Sequence, residues 1–146
     1  MSLRKARTSD INSILNIEKT SYEKPYWNES LLISSFNNRR TDSIWIFEVK
    51  NKIIGFLIEQ RCQNEVNILN VAVEKKYRNN GVGKKIVRQY LSKLPNNSIV
   101  FLEVNINNFI ARKIYTALNF KEFDLRKNYY NNSEDALIMR YVKNSN

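Results

Sequence analysis

The run Val71-Ala72-Val73, followed shortly by Arg78-Asn79-Asn80-Gly81-Val82-Gly83-Lys84, constrains this chain more than any other stretch. An apolar strand runs into a glycine turn, and residues at helical spacing follow at once. A helix that starts directly from such a turn leaves its first backbone N–H groups without intrahelical partners, and its dipole adds partial positive charge there. The turn is therefore a ready site for a phosphate or pyrophosphate. The plainer alternative is a tight turn and nothing more, because glycine is a common turn residue.

Histidine is absent from all 146 residues. That excludes Ser-His-Asp and Cys-His nucleophilic systems and any metal site built on imidazole, and no metal is expected. A general acid or base must come from Glu, Asp, Tyr, Lys, Cys or a terminus. The single cysteine, Cys62, rules out an internal disulfide and suits a reducing cytoplasm. A hydrophobic content of 42% with 26% charged residues fits one ordinary globular domain, taken as 1–146. No apolar run approaches the ~18–20 residues of a membrane span, and the start of the chain has no apolar stretch of the secretory kind. The formal net charge of +10 favours anionic partners, whether a phosphorylated cofactor, nucleic acid or a ribosome surface. The charges are dispersed, so a general bias toward Lys, Asn and Ile explains them as well.

The order of elements reads as two helices, three antiparallel strands, a helix, a strand, a helix and a closing strand pair, an α+β chain. Asp10 is a plausible N-cap for the first helix, and Trp27-Asn28-Glu29 reads as the start of the second, after a loop over 22–26. Ile44 to Val49 and Ile53 to Gln60 form a hairpin across Lys50-Asn51-Lys52. Val66 to Val73 is a third strand, and Lys84 to Lys93 a helix broken by Pro95. Ile99 to Val104 is nearly continuous in apolar residues and reads as a strand covered on both faces. Asn108 to Leu118 is a helix ended by Asn119, a residue that tolerates the left-handed conformation. Lys121 to Arg126 and Ala136 to Tyr141 close the sheet.

Two nucleotide readings of the glycine turn fail on spacing. A dinucleotide fingerprint needs a third glycine where Ile86 stands, and a P-loop needs Ser or Thr where Lys85 stands. Leu69-Asn70-Val71-Ala72-Val73 with Arg78-x-x-Gly81-x-Gly83 instead resembles the acetyl-CoA motif of the GNAT acetyltransferases, and the likeness spans nearly the whole chain. It implies the GNAT fold, a mixed and mostly antiparallel central sheet with helices on both faces. It also implies that the amides of 78–84 hold the CoA pyrophosphate while Val71, Ala72 and Val73 flank the pantetheine arm. Leu102-Glu103-Val104, Asn108, Tyr115, Leu118-Asn119-Phe120, Arg126-Lys127-Asn128-Tyr129-Tyr130 and Glu134-Asp135-Ala136 resemble the RimI subgroup. Members of that subgroup acetylate the N-terminal alanine of a small-subunit ribosomal protein. Two departures are Asn119, where relatives carry glycine, and the loop Glu23-Lys24-Pro25-Tyr26-Trp27, which is close to the subgroup's Pro-Trp loop but not identical.

Attack of an amine on a thioester needs a free amine, a polarised carbonyl and a protonated leaving thiol. An α-amine with a pKa near ~8 needs only a modest push. Glu103 is the candidate base, and among Phe101, Leu102 and Val104 its carboxyl is expected to titrate high; by resemblance it acts through a water. A solvated residue at a strand end is the alternative. Tyr115 is the candidate acid for the thiolate, or else a core tyrosine beside Ala111 and Leu118. Backbone N–H groups near Val71 and Val73 would meet the oxyanion if the strand bulges there. Asn108 either caps its helix or bonds the cofactor. Trp27, Tyr129 and Tyr130 are candidates for the acceptor groove, and Glu65 is a lesser candidate carboxylate. Without a histidine to activate it, Cys62 reads as a structural thiol, so direct transfer in a ternary complex is expected. No nucleic-acid motif stands in the chain; specific DNA binding is not expected, and RNA binding rests on charge alone. An acceptor lysine or small amine, and a non-catalytic acyl-CoA or ribosome-binding module, are the competing readings.

Overall fold

The computed structural model describes residues 2–21, 27–38, 41–130 and 134–144. In chain order the elements are β1 (Ser2–Lys5), α1 (Ile11–Ser21), α2 (Glu29–Asn37), β2 (Asp42–Val49), β3 (Lys52–Cys62), β4 (Glu65–Val73), α3 (Val82–Lys93), β5 (Ile99–Asn105), α4 (Phe109–Ala117), β6 (Lys121–Arg126) and β7 (Ala136–Val142). One seven-stranded sheet runs β1-β2-β3-β4-β5-β7-β6. All neighbours are antiparallel except β4 and β5. This is the mixed, mostly antiparallel sheet that the sequence implied.

Both faces carry helices. Ile86, Val87 and Tyr90 of α3 are buried against Leu57, Val66, Val100 and Leu102 on one face. On the other, Ile14 and Ile17 of α1 and Leu32 of α2 pack on Ile44, Ile46, Phe56 and Ile58. Each such side chain removed from water contributes roughly 1.5–3 kcal/mol, so the two layers fix the sheet between them. The last turn of α3 is tied down by Lys143, whose Nζ donates to the carbonyls of Leu91 (3.0 Å), Ser92 (3.0 Å) and Leu94 (2.6 Å). A cation there satisfies orphan carbonyls and complements the helix dipole.

The hairpin turn of β2 and β3 forms as read from the sequence: Lys50 (φ 48°) and Asn51 (φ 64°) are both left-handed, as a two-residue primed turn requires. Asn28 caps α2, its Oδ1 accepting from Leu31 N–H at 2.9 Å, and Asn119 adopts φ 72° after α4. The loop read over 22–26 lies outside the described residues.

Four expectations are corrected. Strand β1 is absent from the sequence reading because Leu3 is its one buried residue, too little for a period-2 signal. Arg4 holds it in place through Asp10 (2.8 Å) and Glu48 (2.5 Å). Asp10 does stand just before α1, but its carboxylate turns back to accept from Arg7 N–H at 2.7 Å and closes a short 3-10 turn over Thr8–Asp10. Strand β5 is covered on one face: Val100, Leu102 and Val104 are buried while Phe101 is half-buried and Glu103 exposed. Finally, the bulge in β4 falls at Leu69, because Ile58 pairs with Asn70 while Glu59 pairs with Ile68. It does not fall at Val71 to Val73.

Gly55 on β3 lies directly beneath Ile86 of α3. A Cβ there would stand 2.6 Å from Ile86 Cδ1 and 2.9 Å from the carbonyl oxygen of Ala72. The second neighbour is backbone and cannot rotate aside. Gly55→Ala is expected to destabilise the fold by about 1–3 kcal/mol, read as a lower midpoint in denaturant unfolding with an unchanged m-value.

Candidate active site

The bulge at Leu69 reverses which face each following residue of β4 presents. Val66 and Ile68 belong to the α3 side; beyond Leu69 it is Val71 and Val73 that pack there, while Ala72 joins the α1 side. Parallel pairing with β5 stops at the same level, the last matched pair being Ile68 and Leu102. Past it, β4 continues to Val73 bonded to β3 alone, and β5 to Asn105 bonded to β7. Two strands thus part in the middle of the sheet, and the backbone groups of β4 on that side are left without a strand partner.

Three clefts follow the opening. The first, of ≈ 380 Å³, lies over the glycine turn and is lined by Val71 to Val73, Arg78, Gly81 to Lys84 and Ile114. Asn79 (φ 66°) and Gly81 (φ 75°) are both left-handed, and Lys85 N–H closes the first helical bond on Gly81 O at 3.1 Å. The amides of Val82, Gly83 and Lys84 are therefore the open end of α3. A Cβ at Gly83 would meet only Val73 Cγ2 at 3.9 Å, and one at Gly81 nothing within 4 Å. Packing inside the protein gives no reason for bare backbone at Gly83. A phosphate group seated on the amides does, so the cradle fits a pyrophosphate. Arg78 braces the turn: Nε donates to Val73 O (2.9 Å) and Nη2 to Thr20 O (3.1 Å), while Asn80 Nδ2 donates to Arg78 O (3.1 Å).

The second cleft, of ≈ 320 Å³, shares Val71 with the first and is lined by Glu103, Asn108, Tyr115 and Tyr130 among others. Tyr115 rests edge-on against Phe120, ring centroids 5.6 Å apart, with its side chain packed on the core. Tyr115 is thus half in the core, as its packing reading has it, and it also lines the cleft. Asn108 caps α4, its Oδ1 accepting from Ala111 N–H at 3.1 Å. Tyr130 is half-buried, and its phenol is held above the ordinary tyrosine range, first by burial and then by the negative charge of Glu103, with Tyr129 and Glu134 adding to it.

The third cleft, of ≈ 460 Å³, also includes Glu103, and beside it Asp124, Arg126 and Tyr129. Glu103 is thus common to the inner and outer spaces. The desolvation expected of it is not found, because strand alternation turns its side chain away from Leu102 and Val104; it is 35% exposed and stands 3.3 Å from Arg126 Nη1. Trp27 is placed elsewhere: it is buried in the α1 side of the core and lines none of these three clefts. Its backbone N–H donates to the buried carboxylate of Glu18 (3.1 Å), which also accepts from Asn70 Nδ2 (2.9 Å). Glu65 and Cys62 are exposed and paired with each other across β3 and β4, at the opposite end of the strand from the glycine turn. Leu69 and Arg126 stand in the motifs quoted from the sequence, but neither they nor Glu18 were given a role of their own. The Arg126–Glu103 pair joins β6 to β5 across β7, a neighbourhood that linear spacing does not display.

The fold, the parted strands and the bare amides at the start of α3 define an acetyl-transferring enzyme. The chain belongs to the acetyltransferase (GNAT) family, whose model matches residues 11–120. It is 26% identical over 142 residues to an uncharacterized N-acetyltransferase of Methanocaldococcus jannaschii, covering 95% of this chain and 90% of that one. It is 28% identical over 137 residues to the ribosomal protein bS18-alanine N-acetyltransferase of Escherichia coli, 90% of each chain being covered. The crystal structure of the Escherichia coli ribosomal-protein-S18-alanine N-acetyltransferase superposes with a TM-score of 0.87 at 25% identity, covering 99% of this chain and 95% of that one. The chain is therefore RimI-like within its family, and the family uses acetyl-CoA. Among the described residues no helix is long and apolar enough to cross a membrane.

Two measurements bear on this geometry. Gly81→Val forces a β-branched residue to φ 75° at the cofactor turn; the strain of about 1–2 kcal/mol is expected to weaken CoA binding in calorimetry by roughly tenfold. In a Glu103→Gln variant, ultraviolet titration of Tyr130 is expected to shift to lower pH as the neighbouring charge is lost, yet remain above the ordinary range because burial, the larger cause, persists.

Proposed function

We propose that the chain transfers the acetyl group of acetyl-CoA to the α-amine of a protein N-terminus, and that the acceptor is the N-terminal alanine of a small-subunit ribosomal protein. The observation that carries this reading is the chain of shared residues: the cofactor cleft meets the inner cleft at Val71, and the inner cleft meets the outer one at Glu103. An anion cradle, a place for chemistry and an approach for a second substrate lie in sequence.

Acetyl-CoA, when bound, supplies an acetyl group activated as a thioester. The amides of Val82, Gly83 and Lys84 would hold its pyrophosphate, with Asn79, Asn80 and the Arg78 brace keeping the turn in shape. Backbone N–H groups of β4 around Val71 to Val73, freed by the parting from β5, are available to polarise a carbonyl. As the new N–C bond forms, the amine nitrogen gives up a proton through water to a Glu103 carboxylate oxygen. The Tyr115 hydroxyl holds a proton for the departing sulfur. With a phenol near ~10 against a thiol near ~8.5 this is a mildly uphill donation, an assisting role. Tyr129 and Tyr130 stand where the acceptor chain would lie, their rings 5.4 Å apart.

A panel of peptides with free and blocked N-termini tests the reading. Acetylation is expected on free α-amines and not on blocked peptides bearing lysine. Glu103→Gln is expected to slow transfer by about 10²–10⁴-fold with near-normal CoA binding. Turnover confined to internal lysines would overturn the acceptor assignment, and unchanged turnover in the variant would remove Glu103 from the reaction.

A further inference from the structure

Arg126 is the last residue of β6, and its guanidinium stands at the mouth of the outer cleft. Nη1 is 3.3 Å from Glu103 Oε1, and Cζ lies 5.4 Å from the Tyr129 ring centroid. Arg126 lines the outer cleft and not the inner one, whereas Glu103 lines both. An amine coming to Glu103 through the outer cleft therefore meets the Arg126 cation beside it. The cation acts locally at Glu103 and not through the cleft's net charge, because the cleft's charged lining is Glu103, Asp124 and Arg126. Asp124 of β6 faces the same cleft, Arg140 of β7 lies over the Phe123 ring at 4.8 Å, and the Glu134 carboxylate is bonded by Asn105. On the inner side Tyr115 and Tyr130 are phenols, and β4 contributes Asn67, Leu69 and Asn70, none of which titrates. The Glu18 carboxylate behind Asn70 is buried and hydrogen-bonded.

We infer that Arg126 is a positioning residue that makes the acceptor site selective for weakly basic amines, so that α-amines react ahead of lysine ε-amines; the inference rests on the N-terminal reading above. With Arg126 in place the Glu103 carboxylate already has a cationic partner. An arriving ammonium meets like charge, while a free amine, uncharged and carrying its lone pair, does not. An α-amine has a pKa of about 7.7–8.0 and a lysine about 10.4, so near neutrality the free-base fraction of the α-amine is larger by more than about 200-fold. A site that admits the free base converts this difference into specificity. A bare Glu103 carboxylate would do the reverse, drawing in either ammonium by its charge.

The test uses the full chain with two peptides, one with a free N-terminus and no lysine, the other with a blocked N-terminus and one lysine. For wild type, kcat/KM toward the α-amine is expected to rise about tenfold per pH unit between about pH 6 and the amine pKa. Arg126→Gln is expected to flatten that rise to less than half the slope and to raise the ε-to-α reactivity ratio by about tenfold. Arg126→Lys keeps the cation and is expected to retain the wild-type profile. The Arg126–Glu103 pair is exposed and contributes little to stability, so CoA binding by calorimetry is expected to be unchanged in both variants. A purely structural role would lower kcat/KM equally at every pH; an unchanged slope and ratio in Arg126→Gln overturns the inference while leaving N-terminal acetylation intact. A wild type that acetylates lysine alone overturns both.

Discussion

One extra residue in β4 organises the site. In an unbroken strand, residues two apart face the same way, and Val66, Ile68, Asn70 and Ala72 would line the α3 face together. Leu69 interrupts that count, opposing Asn70 and Ile68 to consecutive residues of β3. Asn70 is thereby turned toward α1, where Glu18 receives its amide, and Val71 and Val73 are turned toward α3 and the glycine turn. A bulge also increases local twist and ends pairing on one side, which is why the parallel ladder with β5 stops at Ile68 and Leu102. The inner cleft and the edge of β4 that lacks a strand partner beyond Leu69 follow from that one insertion.

The strand and helix boundaries were largely legible because the chain's apolar periodicity is strong and its turns are marked by Asn, Gly and Lys at left-handed positions. The glycine turn was legible for the same reason: Gly81 announces a positive φ, and the helix that follows is amphipathic. Glu103 does line the clefts, but its environment was misjudged. Composition places it among apolar neighbours, but alternation along β5 sends those neighbours to one face and Glu103 to the other, and the sequence cannot tell which face a helix will cover. α1 and α2 pack over β2, β3 and β4. That leaves Phe101 and Glu103 of β5 half-buried and exposed. Trp27 differs in the opposite sense: the likeness of its loop to the subgroup's Pro-Trp loop suggested a groove, and packing draws it into the core.

The chain's formal charge of +10 is less of an open surface than the number suggests. Several cations are committed to local tasks that a neutral residue could not perform. Lys143 ends α3, Arg78 ties the glycine turn to β4 and α1, Arg4 holds the edge strand, and Arg61 stands beside the buried Glu59, whose carboxylate also accepts from the Tyr90 hydroxyl. Buried or half-buried carboxylates require such partners, since desolvating an unpaired charge is costly. Part of the basic excess is therefore internal structure rather than a docking surface.

The position of the only cysteine bears on how the acetyl group would travel. Cys62 pairs with Glu65 at the start of β4, six positions before Val71, which at roughly 3.3 Å per residue is about 20 Å from the place where the cofactor and inner clefts meet. Cys62 is exposed, and no histidine exists anywhere in the chain to draw off its proton. An acyl-enzyme formed there would need the thioester to cross most of the sheet and the acceptor to follow it. Glu103 needs neither movement, since it already faces both the inner space and the outer approach. These distances favour direct attack within a ternary complex for the reaction proposed for this chain, over a route through the sulfur at the far end of β3.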